Sequence, residues 1–108
     1  MKRGDIVKAV LPGEYGKPRP AVVVQSDRLA GVQSVILCPL TSELTDSVTL
    51  RITVAPDSGN GLHKPSQIMA DKIGAVPRSK CREVIGSLKA SELEELDTAV
   101  ALVVGLLD

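Results

Sequence analysis

A small, mainly β fold with one helix is what the sequence predicts: a partly open barrel against which a C-terminal helix packs. Six short apolar or alternating runs follow one another, with turn-forming residues between them. From Ser91 onward the apolar spacing changes from two to three and four. The chain has 108 residues, which suits one domain on the usual scale of ~100–200 residues. Small strand-rich domains hide their exposed edges by curling into barrels.

The elements follow in order. Asp5–Val10 is β-branched and apolar-rich, and Pro12-Gly13 stops it, so it reads as a first strand. Arg19–Ser26 carries the run Ala21-Val22-Val23-Val24 and opens on Pro20, a residue tolerated where a strand begins. Ser34–Ser42 is a third strand, in which Pro39 calls for an edge or a bulge. Val48–Ala55 alternates apolar and polar residues and predicts a half-buried strand. Asp57–Gly61 is a turn by composition. Ser66–Val76 predicts one further strand and Cys81–Ile85 a short last one. Ser91 and Glu94 fit a capping box. Leu93, Leu96, Val100, Val103 and Leu107 then form the stripe of an amphipathic helix. Glu92, Glu94, Glu95 and Asp97 crowd its first turns as a solvated face that also suits the helix dipole.

Composition narrows the function. Thirteen Lys and Arg balance thirteen Asp and Glu, so no whole-molecule charge grips a nucleic acid or a membrane, and only a local basic patch can. Such an excess exists in residues 1–20, which hold Lys2, Arg3, Lys8, Lys17 and Arg19 against Asp5 and Glu14. Tyr15 is the only aromatic residue, which excludes a ladder of stacking platforms for bases. The longest apolar stretch, Ala99–Leu107, is far short of the ~20 residues of a membrane span. Gly4 and Asp5 follow the basic start where a secretion signal needs an apolar segment. Cys38 and Cys81 read as two buried reduced thiols, with a single disulfide as the alternative, and His63 is the only histidine. A zinc site is therefore not expected, and the compartment is expected to be cytoplasmic.

Pro18-Arg19-Pro20 is the most informative tripeptide. Each proline holds the residue before it, Lys17 or Arg19, extended. A guanidinium fixed at a strand mouth can meet two phosphate oxygens at once. Thr41-Ser42 ends another strand, with hydroxyls able to donate to a phosphate or to satisfy the local backbone. Glu14 is either an acid–base or orienting carboxylate or a turn residue. Asp71 faces the side of Thr41 if the strands pair as expected, and is otherwise an exposed strand carboxylate. His63 reads as an exposed loop residue. There is no G-x-S-x-G, no P-loop and no second histidine, so any catalysis falls to arginine, hydroxyls, carboxylates and backbone.

These pieces together resemble the MazF/PemK family of toxins along essentially the whole chain. Met1-Lys2-Arg3-Gly4-Asp5-Ile6-Val7, then Pro12-Gly13-Glu14 and Arg19-Pro20-Ala21-Val22-Val23-Val24, look like the start of that family. Pro39-Leu40-Thr41-Ser42 resembles its second motif, and Pro65–Ile73 its third. The resemblance implies an SH3-like barrel with a C-terminal helix, the fold shared with the CcdB-like toxins. It implies a homodimer and a metal-independent, cofactor-free endoribonuclease that cuts single-stranded RNA at short sequences. It also implies a cognate antitoxin that wraps the dimer with a segment folding on binding. By the same resemblance, Arg19 and Thr41 take the catalytic positions. Glu14 matches the loop carboxylate and Asp71 an acid of the third motif, while Lys17 and Ser42 accompany them as catalytic or RNA-binding candidates. The loop after the first strand is shorter than in many relatives, Tyr15 stands where many have glutamine, and Met69 stands where some have arginine. The competing expectations are a non-catalytic SH3-like binding module and a CcdB-like poison of gyrase.

Overall fold

The computed structural model describes residues 1–46 and 50–108. Its strands are β1 (Asp5–Val10), β2 (Pro18–Val23), β3 (Ser34–Thr41), β4 (Arg51–Val54), β5 (Ser66–Met69), β6 (Gly74–Pro77) and β7 (Cys81–Ser87). One helix, α1, spans Ala90–Val103. The expected strand over Val48–Ala55 is seen as Arg51–Val54, and its Val48 and Thr49 lie outside the described residues.

The sheet runs β4-β5-β3-β2-β1-β7 and does not close, and β6 adds to β3. All its pairings are antiparallel. The central strands are buried on both faces, which is why β2 reads as an unbroken valine run and does not alternate. One face gathers Ile6, Val22, Cys38, Leu40, Ile52 and Ile68 under Leu96 and Ala99 of α1. The other gathers Val7, Ala9, Ala21, Val23, Val35 and Leu37 with Val76, the neighbour of Val35 across the β3–β6 ladder.

Several elements depart from the sequence reading. β2 ends at Val23 because Ser26 caps a single 3-10 turn, accepting from the Arg28 N–H at 3.2 Å. Ser66–Val76 is two strands, broken by a 3-10 turn at Ala70–Lys72. The helix begins before the expected Ser91–Glu94 box. Leu88 N–H donates to Gly4 O at 2.9 Å, which ends the strand, and the chain turns at Lys89. Glu92, two residues before Glu94, then accepts the Lys89 N–H at 2.9 Å. At the far end Gly105 takes φ +81°, Leu106 N–H donates to Ala101 O and Gly105 N–H to Leu102 O. This is a Schellman stop, and it puts Leu107 outside the helical stripe. Asp97, expected on a solvated face, pairs with Arg3, whose guanidinium also donates to Val24 O. Both cysteines are free. Cys38 is buried as expected, but Cys81 is only partly so. No helix among the described residues is long and apolar enough to cross a membrane.

Candidate functional site

Proline chemistry opens the cleft. β2 pairs with β3 only from Ala21 opposite Pro39 onward, whereas Pro18, Arg19 and Pro20 pair with β1 alone. Pro20 and Pro39 carry no N–H to bridge the two strands. Pro39 is neither an edge nor a bulge. It stands where β3 changes partner, from β6 at residues 34–37 to β5 at Leu40 and Thr41. The two strands part there, and a cavity of about 660 Å³ occupies the gap. Arg19 and Pro20 line one wall, Thr41 and Ser42 another, and Glu14 and Met69 also face it.

The Arg19 guanidinium has one recorded partner among the described residues: Nε donates to Glu14 Oε2 at 3.3 Å. Both side chains keep over two fifths of their surface exposed, so the pair orients the arginine more than it stabilises the fold. The terminal guanidinium nitrogens remain available for an anion. Glu14 sits in a short loop whose Gly13, Tyr15 and Gly16 all take positive φ. Tyr15, at φ +53°, is fully exposed.

Across the gap, Thr41 Oγ1 accepts the Glu43 N–H at 3.1 Å. That bond uses a lone pair of the hydroxyl and leaves its proton to donate. The segment after Thr41 is anchored by Gln67, which is opposite Thr41 in the β3–β5 register. The buried Gln67 side chain accepts Thr45 N–H at 3.0 Å and donates to Thr45 O at 2.9 Å.

A third wall comes from residues 61–64, including His63 and Lys64. Its anchor is Asn60, whose side chain is wholly buried. Asn60 Oδ1 accepts from Asp57 N and Leu62 N, and Nδ2 donates to Ala55 O at 2.8 Å. The loop backbone lies so close to β7 that a Cβ on Gly86 would sit 2.4 Å from Asn60 C. His63 thus enters the cavity wall although it reads as an ordinary loop residue. The Asp57–Gly61 turn was visible in the sequence, but the direction it gives His63 was not. Lys8, one of the basic excess of residues 1–20, also lines the cavity, as does Glu43, which nothing in the sequence marks.

Of the residues picked from the sequence, Arg19, Thr41, Glu14 and Ser42 share this cavity. Lys17 is exposed at the base of the loop, and its N–H donates to Glu14 O at 3.0 Å. Asp71 lies on the 3-10 turn, not on a strand, and lines neither this cavity nor the one beside it. Its charge reaches the Cys38 thiol instead. Burial first, and then Asp71, push that thiol up to about 12. Among the described residues no group of three or more His, Cys, Asp or Glu is placed to hold a metal ion.

Known proteins share this fold and sequence pattern. A probable endoribonuclease MazF of Mycolicibacterium smegmatis is 38% identical over 107 residues, 98% of either chain. The Mycobacterium tuberculosis toxin MazF-mt6 superposes with a TM-score of 0.80 at 24% identity, over 94% of this chain and 96% of its own. A mycobacterial endoribonuclease solved with its cognate antitoxin gives 0.81 at 19% identity, over 98% of this chain and 96% of its own. Residues 2–104 match the family model of PemK-like, MazF-like toxins of type II toxin-antitoxin systems, and the chain belongs to that family.

Proposed function

We propose that this chain is the toxin of such a system: a cytoplasmic, homodimeric, metal-independent endoribonuclease that cuts single-stranded RNA at a short sequence and is held inactive by a cognate antitoxin. The observation that carries the reading is the shared cavity. A guanidinium from β2 and a hydroxyl from β3 face one cleft across strands that have parted.

In this reaction the neighbouring 2′-hydroxyl attacks the phosphorus in line. A new P–O bond forms as the bond to the 5′-oxygen breaks, leaving a 2′,3′-cyclic phosphate and a 5′-hydroxyl. Arg19 stays protonated, so it stabilises the charge on the phosphoryl oxygens and is not the base. Thr41 donates to one of those oxygens. Glu14, held beside Arg19, takes the 2′-hydroxyl proton, and the leaving oxygen takes one from water or from His63 on the facing wall. Ser42 and Lys17 contact the substrate around this centre. The homodimer is supported by apolar side chains left uncovered past the helix: Leu106 is 76% exposed and Leu107 61%.

The test is incubation of RNA with the purified chain in excess chelator, with mapping of the product ends. Specific cuts ending in cyclic phosphate are expected. Arg19→Ala should nearly abolish them in a folded protein, and Thr41→Val should lower the rate by on the order of 10²–10³, the usual cost of one preorganised donor. Intact RNA, together with inhibition of DNA supercoiling, would replace the nuclease by a gyrase poison. Undiminished cleavage by Arg19→Ala would overturn the assignment of that residue.

A further inference from the structure

A second cavity, of about 310 Å³, adjoins the first and shares four lining residues with it: Leu11, Glu14, Pro39 and Met69. Its remaining walls are apolar, apart from Lys72 on the rim. It owes its existence to the break between β5 and β6. The 3-10 turn at Ala70–Lys72 carries the chain from one partner of β3 to the next, and Gly74 resumes the pairing opposite Leu37. Gly74 has no side chain to fill the space. A Cβ there would have only Lys72 O within 4 Å, at 3.9 Å.

We propose that this slot receives an unstacked nucleobase adjacent to the scissile phosphate, and that Lys72 contacts the phosphate of that same nucleotide. The inference rests on the nuclease reading and adds a base-binding subsite to it. The slot is at the small end of ligand clefts, ~300–1,000 Å³, which suits one base and not a folded segment. Sequence-specific proteins recognise single-stranded RNA by splaying bases out into such pockets. The aliphatic walls supply the apolar contact, because the one aromatic residue, Tyr15, is not among them. The Glu14 carboxylate stands between the two cavities and offers an acceptor to an amino group on the base edge. An RNA occupant is favoured over an antitoxin segment because the slot shares Glu14, Pro39 and Met69 with the Arg19 cavity and carries a cation, Lys72, on its rim.

The experiment measures binding, so that it does not depend on turnover. Short 2′-O-methyl RNAs of the mapped cleavage sequence, which cannot be cut, are titrated against wild type, Gly74→Val and Lys72→Ala. If no sequence is cleaved, the four homopolymers serve as probes. Gly74→Val suits a strand position and fills the slot without altering the Arg19 cavity; Lys72→Ala changes an exposed side chain. Gly74→Val should weaken binding roughly tenfold, in line with the loss of one base contact. Lys72→Ala should reduce the slope of log K against log salt by about 0.7, the single-strand value for one phosphate contact. An abasic nucleotide beside the cut should cost wild type the same factor and cost Gly74→Val nothing further. Gly74→Val binding like wild type, or keeping the full abasic penalty, overturns the subsite. So does unchanged RNA binding with lost antitoxin capture, which would assign the slot to the protein partner. Cleavage by wild type with these results leaves the nuclease standing without the subsite, whereas slot-dependent binding without any cleavage overturns the nuclease instead.

Discussion

At the scale of single residues, the reactive groups are held by ordinary local bonds. Thr41 satisfies the backbone of its own turn and keeps a proton to give, so the structural and functional roles of the hydroxyl are not alternatives. The two thiols show how position alone separates like groups. Cys38, buried among Ile6, Val22 and Leu40, has its pKa lifted from 9.0 to about 12. Burial lifts Cys81 as well, against the opposing charges of Arg78 and Arg82. A thiol whose folded pKa lies above its unfolded one contributes fully below about pH 9, and that contribution is lost as pH rises toward 12. The urea midpoint should therefore fall as pH is raised above 9. The fall should be smaller in Cys38→Ala, measured against that variant's own neutral-pH midpoint. An alkylating reagent at pH 8 should label Cys81 well before Cys38.

At the scale of elements, the cavity is assembled by polar anchors that leave little trace in hydrophobic pattern. Asn60 bonds three backbone groups, and without its amide the buried Leu62 N–H and the part-buried Asp57 N–H and Ala55 O lose their partner. Such groups cost ~1–3 kcal/mol each. Asn60→Ala should lower stability by at least about 2 kcal/mol in denaturant melts, with RNA cleavage impaired because the His63 wall loses its support. A melt indistinguishable from wild type would show that the loop is held by its glycine contacts alone. This also explains what was legible beforehand. β1 was readable to its last residue, because a β-branched run ends on Pro-Gly. Pro18 and Pro20 made Arg19 legible as a fixed guanidinium, whereas Pro39 reads as an edge or a bulge and not as a change of partner, and Thr41 took its catalytic place from the family resemblance. The break at Ala70–Lys72 was hidden because Ile68, Ala70 and Ile73 look like one strand's apolar residues, and a single 3-10 turn has no periodicity to betray it. The helix start was misplaced by the competition of two acids. Glu92 and Glu94 both suit a cap, and the Leu88–Gly4 bond, a contact distant in sequence, chooses between them.

At the scale of the whole molecule, the chain is neutral and its charge is divided along the sequence: residues 91–108 hold five acids and no base, the basic excess lies in residues 1–20, and the Arg3–Asp97 pair joins the two in space. The Schellman stop turns Val104, Leu106 and Leu107 outward, with Leu102 beside them, all more than two fifths exposed. Contiguous apolar surface of this kind marks contact between proteins. Replacing Leu106 and Leu107 together by serine should shift the chain from dimer to monomer in light scattering, with little change in the circular dichroism of the monomer. A double variant that remains dimeric would place the contact elsewhere.

The parting of β2 from β3 has a mechanical consequence. Arg19 is carried by the β1 side of the sheet and Thr41 by the β5 side, with no backbone bond between them beyond Pro39. On the proposed function, an RNA phosphate gripped by both side chains would complete the missing rung and act as a removable strut. A ligand at a hundred times its Kd adds about 2.7 kcal/mol to the folded state, and cleavage would release that support again.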